Sequence, residues 1–174
     1  MEIFAETERL ILRELLPIDR NSLFAIDSDP EVHIYLGNNP VENIEKIDDN
    51  IKFIRKQYVD NGIGRWAVIE KSTNNFIGWA GLKLIRELTN NHIDYYELGY
   101  RLNKSYWGKG FATESAKASL QYGFNTLNLN KIYAIADSKN VASRNVIEKI
   151  GLKYIETFTN NDTDHDWFEI HKPQ

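Results

Sequence analysis

Between Val41 and Tyr58 the apolar residues Ile44, Ile47, Ile51, Ile54 and Tyr58 recur at steps of three and four, with Glu45, Lys46, Asp49 and Lys52 between them. That spacing predicts an amphipathic helix over 41–58. Upstream the period drops to two. In "ERLILR" Leu10 and Leu12 alternate with Arg9, Ile11 and Arg13, as a first strand would. Between these segments Pro17 is placed to open a helix in "LPIDRNSLFAID". In "DPEVHIYLG" Asp29 can cap another helix, with Pro30 at its first position.

"DNGIG", residues 60–64, breaks the pattern, and strand signals then come in quick succession. "RWAVIEK" and "NFIGWAGLKLI" flank the polar turn "STNN", which predicts an antiparallel hairpin, and "YYELGYRLN" reads as a further long strand. A helix is predicted from about Phe111, with a mostly small face of Ala112, Ala116, Leu120, Gly123 and Leu127 that can lie close to a sheet. "KIYAIAD" (131–137) is an apolar strand and "NVASRNVIEKIG" a short capped helix ending at Gly151. "LKYIETF" with "DWFEIHK" suggests a last hairpin. The order β-α-α-α-β-β-β-α-β-α-β-β predicts an α+β domain, a mixed sheet with helices on its faces.

Composition narrows the function classes. The 174 residues, 42% of them apolar and 12% aromatic, fit one globular domain spanning 1–174. A formal net charge of -4 provides no general basic field, so nucleic acid is not an expected partner. The absence of cysteine excludes disulfides, thiolate metal sites and a cysteine nucleophile, and agrees with a reducing compartment. "MEIFAETERLILREL" lacks the apolar core of a signal peptide and no apolar run approaches a membrane span, so a soluble cytoplasmic protein is expected. His33, His92, His165 and His171 are scattered singly. "DTDHD" (162–166) reads as a polar hairpin turn, and no metal is expected. Trp66 and Trp79 read as core or pocket walls, and Glu42, Glu45, Asp48 and Asp49 as a solvated helix face.

The candidate chemistry lies in "YWGKGFATES", residues 106–115. A strand ending near Asn103 passes through Gly108, Lys109 and Gly110 into the helix at Phe111. A helix start has unbonded N–H groups and a partial positive charge, and glycines before it let an anion approach. An ordinary tight turn has the same spacing, and spacing alone leaves both readings open. A dinucleotide fingerprint is excluded because Thr113 stands at its third glycine position. A P-loop is excluded because Lys109 is followed by Gly110.

"WGKGFA", residues 107–112, resembles the pyrophosphate loop of the GNAT N-acetyltransferases, Gln/Arg-x-x-Gly-x-Gly/Ala; Gly110 and Ala112 match and Trp107 departs. With Tyr106 before Trp107, and Ala112, Thr113 and Glu114 following the Trp-Gly-Lys-Gly turn, the stretch is similar to the RimJ/RimL branch, the ribosomal-protein N-terminal acetyltransferases. "TERLILRELLPID", "YELGYRLNKSYWGKG" and "IYAIADSKNVASRNVIEKIGLKY" are similar to other segments of that branch, in the same order. The resemblance implies a mostly antiparallel mixed sheet of about seven strands, splayed between the fourth and fifth, with helices on both faces. It also implies acetyl-CoA as donor and coenzyme A as product.

Residue roles follow from the resemblance. The loop and first helical turn, Trp107, Gly108, Lys109, Gly110, Phe111, Ala112 and Thr113, would hold the pyrophosphate, with Lys109 alternatively a solvated side chain. Main-chain groups of Tyr100 and Leu102 would meet the pantetheine arm. Asn140 would contact the same arm, a role compatible with capping the helix at Val141. Glu97 is the implied base, with Glu70 in reserve; the plain alternative for Glu97 is a surface strand carboxylate. The family's acid tyrosine falls on Ile147, which leaves the acid open. Ser143 resembles the branch's proton donor and adjoins the cofactor segment, and is otherwise a first-turn hydroxyl.

Direct attack of a neutral amine on a held thioester needs no covalent nucleophile, and a thiolate can leave unaided because thiols titrate near 8.5. An α-amine, titrating near 7.7 to 8.0, needs little help from a base. The expected acceptor is therefore an amine such as a ribosomal or other protein N-terminus. A small amine (polyamine, antibiotic or amino-acid derivative) and a non-catalytic acyl-CoA-binding module stay open, as do monomer and homodimer.

Overall fold

The computed structural model describes all residues 1–174. One eight-stranded sheet runs through the molecule in the order β1-β2-β3-β4-β5-β6-β8-β7. Its strands are β1 (Ile3–Glu6), β2 (Leu10–Arg13), β3 (Arg65–Glu70), β4 (Asn75–Ile85), β5 (Tyr95–Leu102), β6 (Lys131–Asp137), β7 (Lys153–Asn160) and β8 (Thr163–His171). Its helices are α1 (Arg20–Asp27), α2 (Glu45–Asn61), α3 (Phe111–Asn125) and α4 (Val141–Lys149). Every neighbouring pair is antiparallel except β5 and β6. The mixed, mostly antiparallel sheet is the expected one, with an additional strand. β1 lies on the sheet edge, and its sequence Ile-Phe-Ala-Glu has no alternation of apolar and polar residues to mark it. Phe4 anchors it by stacking on Trp66, with ring centroids 4.8 Å apart.

Alternation along the strands divides the interior into two layers. Leu10, Leu12, Trp66, Val68, Leu82, Leu98 and Leu102 face α3 and α4, in the main cluster that also holds Phe111, Leu120 and Ile147. Ala67 and Ile69 face the other way, with Leu23 of α1 and Ile47, Ile51 and Ile54 of α2. Arg13, placed on the polar side of the first strand by the sequence, is buried in this second layer. It forms a two-pronged pair with Asp19 at 2.8 and 2.7 Å.

The helix expected over 41–58 begins later. Val41 N–H is drawn to Asp27 C=O (2.7 Å), and Asn43 Oδ1 accepts from Glu45 N–H (2.9 Å), so the chain turns helical only at Glu45. It then runs to Asn61 and stops at Gly62, whose φ of +68° is left-handed. Pro17 does open a helical stretch, as a 3-10 turn over Pro17–Asp19 that leads into α1.

The helix expected at Pro30 does not form. Asp29 Oδ1 accepts from Glu31 N–H (2.9 Å), as a cap would, but successive turns follow and His33 C=O receives both Leu36 and Asn38 N–H (3.0 Å each). Val32 and His33 are buried while Ile34, Tyr35 and Leu36 are exposed. Such a run has no continuous apolar stripe to bury, so packing cannot offset the cost of helix nucleation.

On α3 the buried face is Phe111, Ser115, Ala116, Ala118, Ser119, Leu120, Gly123 and Phe124. Leu127 lies beyond the helix end, but the smallness of the face matters as expected. A Cβ on Gly123 would come within 2.7 Å of Ile132 Cδ1 and Leu82 Cδ1.

Candidate active site

Two features of the sheet meet at the end of β5. The first is a gap. β5 and β6 pair only at Glu97 with Tyr133 and Leu98 with Ala134, although β5 runs on to Leu102 and β6 to Asp137. Asn103 N–H donates back to Ile77 C=O of β4 (2.9 Å). By strand alternation the main-chain groups of Tyr100 and Leu102 therefore turn away from β4, toward the gap. This is the splay expected between the fourth and fifth of the predicted strands, which are β5 and β6 here.

The second feature is the loop into α3. Gly108 (φ +70°) and Gly110 (φ +82°) are both left-handed, a conformation costly to residues with a Cβ. The first helical bond is Glu114 N–H to Gly110 C=O (3.0 Å), so the N–H groups of the preceding turn have no intrahelical acceptor. The loop is fastened at both ends. Trp107 Nε1 donates to Leu102 C=O (3.0 Å), which gives a structural reason for a tryptophan where the family pattern has Gln or Arg. At the other end Glu114 accepts from Thr7 Oγ1, from Arg9 N–H (3.0 Å) and from Arg9 Nε (2.7 Å). Burial raises the Glu114 pKa, but these hydrogen bonds and the Arg9 charge more than offset it and hold the carboxyl below its usual range.

The remaining candidate residues flank the gap on opposite faces. Toward α3 and α4, Tyr100 Oη lies 3.0 Å from Ser143 Oγ and donates to Ser143 C=O (3.2 Å). Burial pushes the Tyr100 phenol up to about 12, only partly countered by Ser143, so it stays protonated at neutral pH. Asn140 Oδ1 accepts from Ser143 N–H (3.1 Å), so the capping role is present. Ile147 is buried in the core and does not substitute for a tyrosine.

Toward α1 and α2, Glu97 Oε1 accepts from Arg65 Nη2 (2.8 Å). Arg65 is buried and also donates to the carbonyls of Gly81 and Glu97. Burial lowers the Arg65 pKa, and the charge and hydrogen bond of Glu97 counter this only in part. Trp79 lies between two guanidiniums, Arg65 at 5.4 Å and Arg101 at 5.2 Å, and Arg101 is paired with buried Asp27 at 2.7 Å. Trp66, by contrast, is wholly core.

Thus Tyr100, Leu102, Asn140, Ser143 and Glu97 are brought to the gap, and Trp107 to Thr113 form the loop beside it. Glu70 is not brought there. It sits at the β3–β4 turn, accepting from Thr73 Oγ1 (2.6 Å) and paired with Asn75, whereas Glu97 is paired with Lys83. Those rows are eight residues apart on β4, about 26 Å at strand rise. Arg65, Arg9 and Glu114 carry no local sequence signal of a place at this site. Arg9 reads as one of several outward positions in "ERLILR", and Glu114 as a generic acid in a first helical turn.

A profile of the acetyltransferase (GNAT) domain matches residues 9–153. This chain belongs to the GNAT acetyltransferases. The uncharacterized N-acetyltransferase p20 of Bacillus licheniformis is 33% identical, over 84% of this chain and 80% of its own. The spermidine N(1)-acetyltransferase of Escherichia coli K12 is 28% identical, over 79% of this chain and 71% of its own. Among solved structures, a GNAT-family acetyltransferase from Bacillus anthracis superposes with a TM-score of 0.80 at 26% identity, over 99% of both chains. RimL, the ribosomal L7/L12 α-N-protein acetyltransferase in complex with coenzyme A, superposes at 0.82 with 16% identity over 98% of both, a likeness of fold.

The residues present fit an acetyl-CoA donor. The left-handed glycines and the N–H groups at the α3 start without an intrahelical acceptor suit a pyrophosphate, and the part of β5 beyond Leu98, which does not pair with β6, suits an amide-bearing arm.

Proposed function

We propose that this N-acetyltransferase acetylates an α-amine at the start of a peptide or protein, by direct attack on acetyl-CoA in a ternary complex. The observation that carries the choice of acceptor is the ion pairing on the α1/α2 face. The two carboxylates associated there with β5, Glu97 and Asp27, are already bound by Arg65 and Arg101. A polyammonium substrate calls for uncommitted anions, whereas a single amine beside Trp79 does not. An α-amine is also substantially neutral near pH 7 to 8, so it needs only a modest base.

In this reading the N–H groups from Gly108 to Thr113 hold the pyrophosphate, with Trp107 closing the loop on β5 and Lys109 adding charge beside it. The arm lies along the main chain of Tyr100 and Leu102, reaching Asn140 and Ser143. Glu97 takes the amine proton through water with the carboxylate oxygen that Arg65 leaves free. As the C–N bond forms and the C–S bond breaks, Ser143 Oγ, held by Tyr100, gives its proton to the departing sulfur and takes one back from solvent, while Glu97 releases the amine proton to solvent. Positioning by the gap supplies much of the acceleration.

A second reading has one observation in its favour, the 28% identity to a spermidine acetyltransferase. Thiol release from acetyl-CoA, screened over peptides with varied N-termini, spermidine and aminoglycosides, separates the two. Turnover is expected with peptides. A preference for spermidine overturns the α-amine reading, and coenzyme binding without turnover on any amine points to a non-catalytic module.

A further inference from the structure

The segment Thr7–Arg9 and the coenzyme loop are about a hundred residues apart in sequence, yet they share a dense set of contacts. Glu114 receives Thr7 Oγ1, Arg9 N–H and Arg9 Nε on its two oxygens, and Arg9 Nη2 lies 2.6 Å from the same carboxylate. Arg9 Nη1 donates to Lys109 C=O (3.0 Å), between the two left-handed glycines, and its guanidinium lies 4.3 Å from the centre of the Phe111 ring.

The direction of the Lys109 carbonyl matters. In a trans peptide the C=O and the next N–H point opposite ways, so fixing Lys109 C=O toward Arg9 turns Gly110 N–H away from Arg9. A loop rich in glycine has more freedom to lose on ordering than any other. A fork that holds a carbonyl, a carboxylate and a ring face together removes that freedom in advance. Arg9 has its own charge matched by Glu114, so its contribution is orientation of the loop more than added positive field.

We infer that Arg9 and Glu114 are positioning residues for the coenzyme: by tying the start of β2 to the Lys109–Gly110 peptide and the first turn of α3, they preset the N–H groups that receive the pyrophosphate. The inference rests on the proposed reading of the loop as the coenzyme site.

Calorimetry with coenzyme A tests it on the full chain and four variants, Arg9→Ala, Arg9→Lys, Glu114→Gln and the double variant Arg9→Ala/Glu114→Gln, each confirmed as folded by a cooperative apo melting transition. Both Arg9→Ala and Glu114→Gln are expected to weaken binding about tenfold, the scale of one lost charge-assisted hydrogen bond. The double variant is expected to weaken it little further, because the two residues act as one unit. Arg9→Lys, which keeps the charge and loses the fork, is expected to resemble Arg9→Ala.

If Glu114→Gln binds as tightly as the parent while Arg9→Ala does not, Arg9 touches phosphate directly and the inference fails. Full affinity in Arg9→Lys overturns it in favour of simple charge. Variants with lowered melting midpoints and parental affinity overturn it in favour of a purely structural role. Should a variant not fold, amide exchange at Gly108 to Thr113 in the folded ones decides. Faster exchange with unchanged protection elsewhere supports the clamp, and unchanged exchange refutes it. Lack of binding by the parent chain would instead overturn the coenzyme site itself.

Discussion

Glu97 and Tyr100 are three residues apart on β5, an odd offset that sends one side chain to each face of the sheet. The gap after Leu98 lies beside both. With Glu97 as base, Glu97→Gln is expected to lower turnover at saturating substrates by 10² or more, about the value of general-base catalysis, while leaving coenzyme affinity unchanged. Steady-state kinetics beside calorimetry checks the split, and full activity would remove Glu97 from the mechanism. Glu114 gives a pH signature. Its pKa is lowered in the folded chain, so its contribution to stability is present above the unfolded value of about 4.3 and is lost as pH falls through the folded value. Thermal melts from pH 7 to pH 3 should show the difference between parent and Glu114→Gln shrinking below about pH 4.3. A constant difference across that range would contradict the assignment.

At the scale of elements, the strand, loop and helix around 95–125 were legible because their signals are local. The run "YYELGYRLN" reads as a strand, two glycines mark the turn, and small residues mark a helix lying close to its sheet. The left-handed φ at Gly108 and Gly110 is the physical content of that glycine signal. Replacing Gly110 by alanine should cost about 1–2 kcal/mol from backbone conformation alone. Denaturant unfolding of Gly110→Ala measures that cost, and an unchanged midpoint would mean the loop relaxes freely. The elements misread were those without a consistent local signal. β1, Ile-Phe-Ala-Glu, has no apolar–polar alternation, and residues 30–37 carry a helix-start signature without an apolar stripe. Burial of Arg13 depends on Asp19 reaching it, a pairing that alternation along one strand does not reveal.

For the whole molecule, the clearest expected consequence of a built coenzyme site is linkage. At 100 times its dissociation constant, coenzyme A should add about 2.7 kcal/mol, a rise of roughly 5–10 °C in melting midpoint for a domain of this size. The same rise is expected in Glu97→Gln, and no rise in the parent would remove the coenzyme from the site. The sequence by itself determined the order of most elements, the glycine turn that leads into the helix at Phe111 and the family, because each is written in short-range spacing or in motifs that stay contiguous. Only the tertiary structure decided that β5 and β6 part after Leu98, that Tyr100 meets Ser143, and that Arg65 and Arg101 pair with Glu97 and Asp27 on the α1/α2 face. It also decided that Arg9 reaches across to Glu114 and Lys109. Those contacts join residues tens of positions apart, and their energies depend on distance and burial, quantities that no local pattern of residues records.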